Sequence, residues 1–175
     1  GLVGGEGFAV DASLIEADAN RQRSVTATDW KTPEAASRSV REYLAVLDEN
    51  TWGGATDVQP KFISESDPAA QWTAAKDGPA IFAYSDNYLI DLRSAVILDV
   101  EASRSVRQAE VGAAKIMIER TAQRFDLKPS RLAADTAYGS AEMLNWLAEE
   151  RQIAPHVPVI DKSAPTNSRI FISGP

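Results

Sequence analysis

The sequence predicts an α/β fold in which a mixed sheet is flanked by helices. Two apolar runs, 81–91 and 95–100, are separated only by Leu92-Arg93-Ser94, which is the pattern of an antiparallel hairpin. After these runs, helix-like segments alternate with short apolar segments, an order that typically gives parallel strands reached through helices. An antiparallel hairpin followed by parallel strands makes the predicted sheet a mixed one.

The first predicted strand covers 7–12 and ends just after Asp11. The glycine-rich start, 1–7, is interpreted as a turn, because a phosphate-binding glycine loop follows a strand and precedes a helix. The segment 14–79 is predicted to be an insertion after the first strand.

Within this insertion, the sequence predicts one helix and a long connection. The helix begins at Thr32-Pro33-Glu34, since proline is favoured at the first helical position and an acid in the first turn. Its apolar residues recur at three- and four-residue steps: Ala36, Val40, Tyr43, Leu44 and Leu47. The segment 51–78 is rich in Gly, Pro, Asp and Ser, and it is predicted to be mainly connection.

After the hairpin, the remaining elements follow in a regular order. The run 95–100 is almost continuously apolar, which predicts a strand covered on both faces. A long helix ends before Pro129. Its predicted apolar stripe is Val106, Ala109, Ala113, Ile116, Met117 and Phe125.

Two more strands and one helix complete the predicted domain. A fourth strand covers 132–135, and Ser140 is predicted to cap a helix that runs to about Arg151. A fifth strand covers 153–160, where Pro155 and Pro158 predict an edge position. The segment 164–175 shows no clear helical or strand period.

Composition limits the classes of protein that need to be considered. A chain of 175 residues with 44% hydrophobic and 25% charged residues suits one globular domain. No apolar run is long enough to span a bilayer, so we expect a cytoplasmic protein without a membrane partner. The absence of cysteine excludes disulfides and thiolate metal sites, so any metal would be bound by oxygen. The net charge of −7 argues mildly against strong unaided DNA binding.

Two aspartates, Asp11 and Asp135, each lie at the end of an apolar strand-like run. Taking an unpaired carboxylate out of water is costly, so a pair of strand-end acids indicates that a metal ion holds them. The alternative is that each aspartate caps the turn or helix that follows it.

Three segments carry a family resemblance, in order along the chain. They are Gly-Phe-Ala-Val-Asp-Ala-Ser-Leu-Ile-Glu-Ala-Asp-Ala-Asn (7–20), Tyr-Ser-Asp-Asn-Tyr-Leu-Ile-Asp (84–91) and Ala-Asp-Thr-Ala-Tyr-Gly-Ser (134–140). They resemble the catalytic core of DDE transposases from bacterial insertion sequences, over roughly 2–163. The resemblance implies a ribonuclease H-like sheet with an insertion after its first strand, in which the first and fourth strands are neighbours.

The resemblance also implies a chemistry. Asp11 and Asp135 match the first two acids of the family's triad, which holds two Mg²⁺ or Mn²⁺ ions for DNA cleavage and strand transfer. DNA, as element ends and target, is the implied partner, and a homodimer is compatible with it. The third acid, a glutamate on a later helix, belongs to a region that the chain is expected to lack. We therefore expect 1–163 to be a partial catalytic domain, truncated or frame-altered near residue 164, with 164–175 a divergent tail and no transposition by the chain alone.

Other polar residues have two open interpretations each. Asn20, Arg21 and Arg23 either contact DNA phosphate or form a solvated turn. Tyr138 and Ser140 position the backbone or a phosphate, although capping is favoured for Ser140.

Further polar side chains are assigned structural roles. Turn or edge roles are favoured for Asp86, Asp91 and Asp99. A packed or surface role is favoured for His156, the single histidine.

Two rival functions remain open at the level of sequence. One is a metal-dependent nuclease of the same fold, and the other is an inactive transposase remnant. A serine hydrolase is excluded because the Gly-x-Ser-x-Gly pattern is absent, and a P-loop enzyme because its lysine-bearing glycine loop is absent.

Overall fold

The computed structural model describes residues 3–30, 41, 60–74, 78–160 and 169–172. The predicted helix beginning at Thr32 therefore lies outside the described residues. The described strands are β1 (Gly7–Glu16), β2 (Ser24–Thr26), β3 (Phe62–Ser64), β4 (Gln71–Ala74), β5 (Ala80–Asp91), β6 (Ile97–Arg104), β7 (Arg131–Ala133), β8 (Ala154–Ile160) and β9 (Arg169–Ile172).

The described helices follow the predicted order. Helix α1 is Arg107–Phe125, and helix α2 is Ala141–Asn145, which continues into a π-helical turn at Trp146–Glu150. Two 3-10 turns cover Arg21–Arg23 and Thr136–Tyr138. In the described part of the chain, no helix combines the length and the apolar character needed to cross a membrane.

The chain forms two compact units. The first contains Gly1–Asp11, Asn87–Glu101 and Ala114–Pro175, and the second contains Ala12–Asp86 and Ala102–Ala113. Because the division falls within β1, β5, β6 and α1, these elements contribute residues to both units.

The first unit contains a mixed sheet in which the strands lie in the order β5-β1-β7-β8-β9, with β6 paired to β5. Strands β1, β7 and β8 are parallel, and β8 and β9 are antiparallel. The α/β class and the mixed sheet are therefore confirmed. The predicted first and fourth strands, β1 and β7, are direct neighbours.

Alternation of side chains gives this sheet one apolar face. Phe8, Leu132 and Val157 are fully buried, and Val10 is 4% exposed. Each such side chain contributes about 1.5–3 kcal/mol of hydrophobic stabilisation when it is removed from water. The helices add further buried apolar side chains to the core, namely Met117, Ile118, Met143 and Leu147. On the strands, the residues that alternate with Phe8, Val10, Leu132 and Val157 therefore point to the opposite face of the sheet.

Strand β8 is not at the edge of the sheet, in contrast to the prediction. The N–H of Ala154 and the C=O of His156 bond to the β7 side. By alternation, the nitrogen of Pro155 points away from β7, and pairing with β9 begins only at Val157. The nitrogen of Pro158 points toward β7, beyond the last registered pair. Both prolines therefore lie where no ladder hydrogen bond is required. Strand β9 also gives regular structure to part of the segment that was predicted to be irregular.

The hairpin of β5 and β6 is confirmed, but β6 is not covered on both faces. Ile97 is 52% exposed and Val100 is 43% exposed. Among the described strands, β6 pairs with β5 alone, so it forms an edge. The apolar run 95–100 correctly predicted the strand β6, but it wrongly predicted that both faces of this strand are buried.

Arg120 of α1 covers part of this edge. Its guanidinium donates to both carboxylate oxygens of Asp99, at 2.7 and 3.0 Å, and to the Val100 carbonyl at 3.0 Å. It also forms a 2.7 Å ion pair with Glu101. The Asp99 hydrogen bonds are the largest cause that raises the pKa of Arg120. Asp99 in turn accepts the Val100 N–H, so side chains satisfy an exposed strand edge, a recognised protection against edge pairing.

Helix α1 ends before Pro129 as predicted, and three residues of its predicted stripe are buried. These are Ala109, Ala113 and Met117. Phe125 does not belong to the stripe, because it is the last helical residue and is 57% exposed. The next residue, Asp126, has φ 52° and turns the chain away.

The second unit contains regular structure where a connection was predicted. Strand β4 pairs antiparallel with the start of β5, and β2 pairs antiparallel with β3. Phe62, Trp72 and Phe82 stack edge to face, with ring centroids 5.7 and 5.0 Å apart. Strand β1 continues to Glu16, so the insertion starts later than predicted. The segment 51–78 was predicted to be a connection because of its polar turn residues, but it contains the short strands β3 and β4, which the aromatic cluster joins.

Candidate functional site

Asp11 and Asp135 occupy equivalent positions on neighbouring parallel strands of the first unit. The register pairs Ala9 with Ala133, and each aspartate lies two residues beyond its alanine. The bond from Ala134 N–H to His156 C=O, at 3.4 Å, continues the β7–β8 ladder beyond Ala133. Neighbouring strands lie about 4.8 Å apart, so Asp135, just after the end of β7, lies beside Asp11, which is within β1.

Side-chain alternation explains why both carboxylates point away from the apolar face. Phe8 and Val10 are buried, so the odd-numbered residues of β1, including Asp11, point to the opposite face. Leu132 is buried in the same way, which directs Ala133 and Asp135 to that opposite face. Both aspartate side chains are exposed to solvent.

Asp135 also performs the capping role that the sequence left open. Its Oδ1 accepts a 2.7 Å hydrogen bond from the Ala137 N–H and starts the 3-10 turn Thr136–Tyr138. Its backbone is extended, with φ −79° and ψ −179°. No described residue bonds its Oδ2, so one oxygen orients the carboxylate and the other faces solvent. Capping and metal binding are therefore compatible at this residue.

The carboxylate oxygens of Asp11 and Asp135 are suitable ligands for one hard cation. Mg²⁺ is usually bound by one or two carboxylates and keeps several waters, which two strand-end aspartates and solvent supply. In the described residues, no group of three or more acidic or histidine side chains is arranged to hold a metal. The pair thus suits one ion, and the described chain does not provide the third acid that a two-ion site requires.

A groove lies on the same face of the sheet as the two aspartates. Leu92, Arg131, Ala133 and His156 line a space of about 310 Å³. Arg131, the first residue of β7, was not assigned a role from the sequence, and His156 is exposed, in agreement with a surface role. The sequence signal for this groove was Gly7, because a glycine inside a predicted strand often marks a place where another group lies close to the backbone.

Ser140 and Tyr138 have structural partners in the first unit. The Ser140 hydroxyl accepts a 3.2 Å hydrogen bond from the Met143 N–H and caps α2, which confirms the favoured prediction for Ser140. The Tyr138 side chain is only 3% exposed. A role of Tyr138 in DNA contact stays a prediction, and its burial favours a packing role.

Asn20, Arg21 and Arg23 form a surface turn of the second unit. The Asn20 side chain accepts a 2.8 Å hydrogen bond from the Gln22 N–H and caps the 3-10 turn. The Arg21 guanidinium lies 3.3 Å from the centroid of the Phe62 ring, a cation–π contact that holds this arginine on the protein surface. All three side chains are exposed, and their DNA contacts stay predictions.

Asp91 has the turn role that the sequence favoured, and its carboxylate accepts hydrogen bonds from Ser94 in the turn and from the start of the chain. Its buried carboxylate accepts bonds from the Ser94 hydroxyl at 2.7 Å and N–H at 2.9 Å, the Gly4 N–H at 3.2 Å and the Gly5 N–H at 3.0 Å. The Ser94 hydroxyl is the largest cause that lowers the pKa of Asp91 to about 2, and together with the backbone hydrogen bonds it outweighs the opposing effect of burial. Gly5 has φ +70° and Glu6 forms a bend just before β1, so the described part of the glycine-rich start changes direction there, in agreement with the predicted turn.

No protein-family model, curated protein or solved structure matches the chain. The register between β1 and β7, the exposed carboxylates and the three resembling segments are therefore the observations from which a function is inferred.

Proposed function

We propose that the chain is a catalytic-domain fragment of a DDE transposase with a ribonuclease H-like sheet. In this proposal, Asp11 and Asp135 together bind Mg²⁺ or Mn²⁺ and act on DNA phosphodiester bonds. The observation that carries the proposal is the pairing of Ala9 with Ala133, since it gives the two aspartates equal positions on neighbouring strands. The resemblance supports it independently, because it assigns the first two acids of the triad to the same two residues.

The strand order also supports the proposed fold. An antiparallel hairpin, β5 and β6, lies on one side of β1, and the parallel strands β7 and β8 lie on the other. Helix α1 connects the hairpin to β7, and α2 connects β7 to β8. This is the arrangement that the resemblance implies around its first strand.

Each aspartate has a defined part in the proposed site. Asp11 extends from a central strand whose neighbouring residue, Val10, is anchored in the core. Asp135 is oriented by the Ala137 N–H through one oxygen and offers the other oxygen to the ion. When bound, the metal would act as a Lewis acid on the phosphodiester, a chemistry that the two carboxylates would position. Asp11 lies within β1 and Asp135 caps the turn that follows β7, so the backbone of regular elements positions both ligands, which favours a preorganised site.

The second candidate is a remnant of the same family without catalysis. The observation that favours it is the lack of a third metal ligand beside the aspartate pair in the described residues. We therefore expect the purified chain not to join DNA strands above background, even if it binds a metal. A nuclease of the same fold would instead cut DNA without joining it, so one strand-cleavage and joining assay separates the nuclease from the remnant, which would do neither.

Mn²⁺ titration followed by electron paramagnetic resonance tests the proposal. The wild-type chain should bind Mn²⁺, and Asp11→Asn and Asp135→Asn should each weaken binding by about tenfold or more, because each removes one of the charged ligands that hard cations prefer. Asp126→Asn is the matched control, since this exposed carboxylate, which pairs with Lys128 at 3.9 Å, belongs to the same unit. Unchanged Mn²⁺ affinity in both Asp11→Asn and Asp135→Asn would contradict the proposal.

A further inference from the structure

A basic groove continues the sheet face that carries the two aspartates. Arg131 and Ala133 lie on β7 at alternate positions that lead to Asp135, and the register pairs Ala133 with His156 on β8. Leu92 closes the groove on the side of the hairpin turn. The β1 residues beside the groove have small side chains or none, because Gly7 lies opposite Arg131 and Ala9 lies opposite Ala133.

Gly7 allows Arg131 to lie across the sheet. A Cβ atom at Gly7 would approach the Arg131 Nε to 2.8 Å and its Cγ to 3.2 Å. The arginine stem therefore rests on the backbone of β1, where any other residue would displace it. This contact limits the positions of a long side chain that is otherwise exposed.

The charge of Arg131 is not neutralised by the part of the chain that the structure describes. No described carboxylate lies within ion-pair distance of its guanidinium, whereas Arg120 and Arg151 of the same unit are both paired with acids. His156 adds a second hydrogen-bonding side chain to the same groove. A planar guanidinium with free N–H groups is well suited to bind phosphate oxygens in a bidentate way.

We propose that the groove lined by Arg131 and His156 binds a backbone phosphate of DNA beside the aspartate pair. This inference rests on the proposed function, because it assigns a DNA position to the same sheet face. Arg131 lies four strand residues from the level of Asp135, which is roughly 13 Å at 3.3 Å per residue. Because successive phosphates wind around the helix axis, this distance corresponds to very few nucleotides, so the groove would hold a phosphate of the same strand close to the one at the aspartates.

The groove also compensates for the charge of the site. The net charge of the chain is −7, and two aspartates without a metal repel DNA. The positive charge of Arg131 would hold a DNA strand on this face of the sheet. The residues between Arg131 and the aspartates, Ala9 and Ala133, are too small to obstruct the DNA. Arg131 is thus a binding residue, separate from the metal ligands.

Fluorescence anisotropy with a labelled 20-nucleotide DNA, as single strand and as duplex, tests the inference. The buffer contains EDTA and low salt, so binding does not depend on the metal site. Arg131→Gln should weaken binding about threefold or more and reduce the salt dependence by about one phosphate contact, a slope change of roughly 0.7 for single strands and 0.9 for duplex. Arg124→Gln, which removes an exposed arginine from the end of α1, should change neither.

Two further variants separate the effect of the groove from that of charge. Ala133→Leu fills the groove without changing charge and should also weaken DNA binding. His156→Gln should weaken binding less than Arg131→Gln, because a neutral donor remains. Equal DNA affinity of Arg131→Gln and Arg124→Gln would overturn the inference, and so would the absence of measurable DNA binding by the wild-type chain. Competition by inorganic phosphate as effective as that by unlabelled DNA would also overturn it, since the site would then bind free phosphate.

The outcome of this test is independent of the metal site. If Arg131→Gln binds DNA normally while Asp11→Asn loses Mn²⁺, the groove inference fails and the proposed function stands. If Arg131→Gln loses DNA while Asp11→Asn retains Mn²⁺, the proposed function fails and the groove stands as a DNA contact.

Discussion

The Asp91 carboxylate accepts a 2.7 Å hydrogen bond from the hydroxyl of Ser94, three residues later in the turn between β5 and β6. The same carboxylate accepts hydrogen bonds from the N–H groups of Gly4 and Gly5, which lie just before Glu6 and the start of β1. One buried anion therefore ties the hairpin turn to the start of the strand that carries Asp11. Backbone N–H groups converging on an anion form a common binding arrangement, and here the anion is internal to the protein.

The first prediction concerns the pH dependence of stability through Asp91. The pKa of Asp91 falls from 3.8 to about 2 on folding, so the unfolded chain binds more protons between these values. The stabilisation is fully present above about pH 4 and is lost as pH falls through about 2. We expect the free energy of unfolding of the wild-type chain, measured by urea denaturation, to decrease over this window.

Asp91→Asn should be less stable than the wild-type chain at pH 7 and should lose less stability between pH 4 and pH 2. An amide has only one oxygen, so it cannot accept all four hydrogen bonds. Asp126→Asn, at an exposed position, should follow the wild-type pH profile. Parallel pH profiles for the wild-type chain and Asp91→Asn would show that Asp91 is not the source of the acid sensitivity.

The second prediction concerns Arg120 and the edge strand β6. Arg120→Leu removes the bidentate bond to Asp99 and leaves the Val100 carbonyl unprotected at the edge. We expect a loss of about 1 kcal/mol of stability, appropriate to a partly exposed charged pair, and increased self-association. Analytical ultracentrifugation over a range of concentrations measures the self-association.

Arg124→Leu is the control for Arg120, because it removes the same charge from an exposed position on the same helix. If both leucine variants self-associate equally, added apolar surface explains the effect and protection of the edge does not.

The third prediction separates capping from DNA contact at Ser140. Ser140→Ala removes the acceptor for the Met143 N–H and should cost about 1 kcal/mol in thermal or urea denaturation, whereas Ser140→Asp retains the cap and should cost little. DNA affinity in EDTA should be unchanged in Ser140→Ala. A selective loss of DNA affinity in Ser140→Ala with normal stability would instead assign a phosphate contact to this residue.

Some elements could be predicted from the sequence because local signals and tertiary structure agree. The hairpin around Leu92, the end of α1 before Pro129 and the cap at Ser140 depend on residues close in sequence. The adjacency of Asp11 and Asp135 followed from the resemblance, and the register of β1 and β7 agrees with it.

Other features depend on pairing partners that are distant in the chain. Pro155 and Pro158 indicated an edge strand, yet each proline nitrogen falls outside the registered ladders, which sequence alone does not reveal. The run 95–100 indicated a covered strand, but burial depends on what packs against it. The Arg131 groove was missed because it requires knowledge of which β7 residue lies opposite Gly7.

The fourth prediction concerns stability at the aspartate pair without metal. Asp11→Asn and Asp135→Asn should each retain the stability of the wild-type chain or exceed it slightly, because neighbouring carboxylates repel and removing one charge relieves that repulsion. Asparagine also preserves the cap at Asp135, whereas Asp135→Ala should cost about 1 kcal/mol. Melting curves in EDTA measure these differences. A loss of several degrees in either asparagine variant would assign that aspartate a mainly structural role.

The most direct measurement is a crystal structure of the chain soaked with Mn²⁺, with the ion located by its anomalous scattering. We predict an anomalous peak that contacts both the Asp11 and the Asp135 carboxylates, beside the carboxyl end of β7. Hard divalent cations bind oxygen at about 2.1 Å, so one ion can contact both carboxylates only if an oxygen of each lies within roughly 4.5 Å of the other, and a larger gap in the soaked crystal would contradict the account. An Mn²⁺ peak that contacts neither aspartate would contradict it equally.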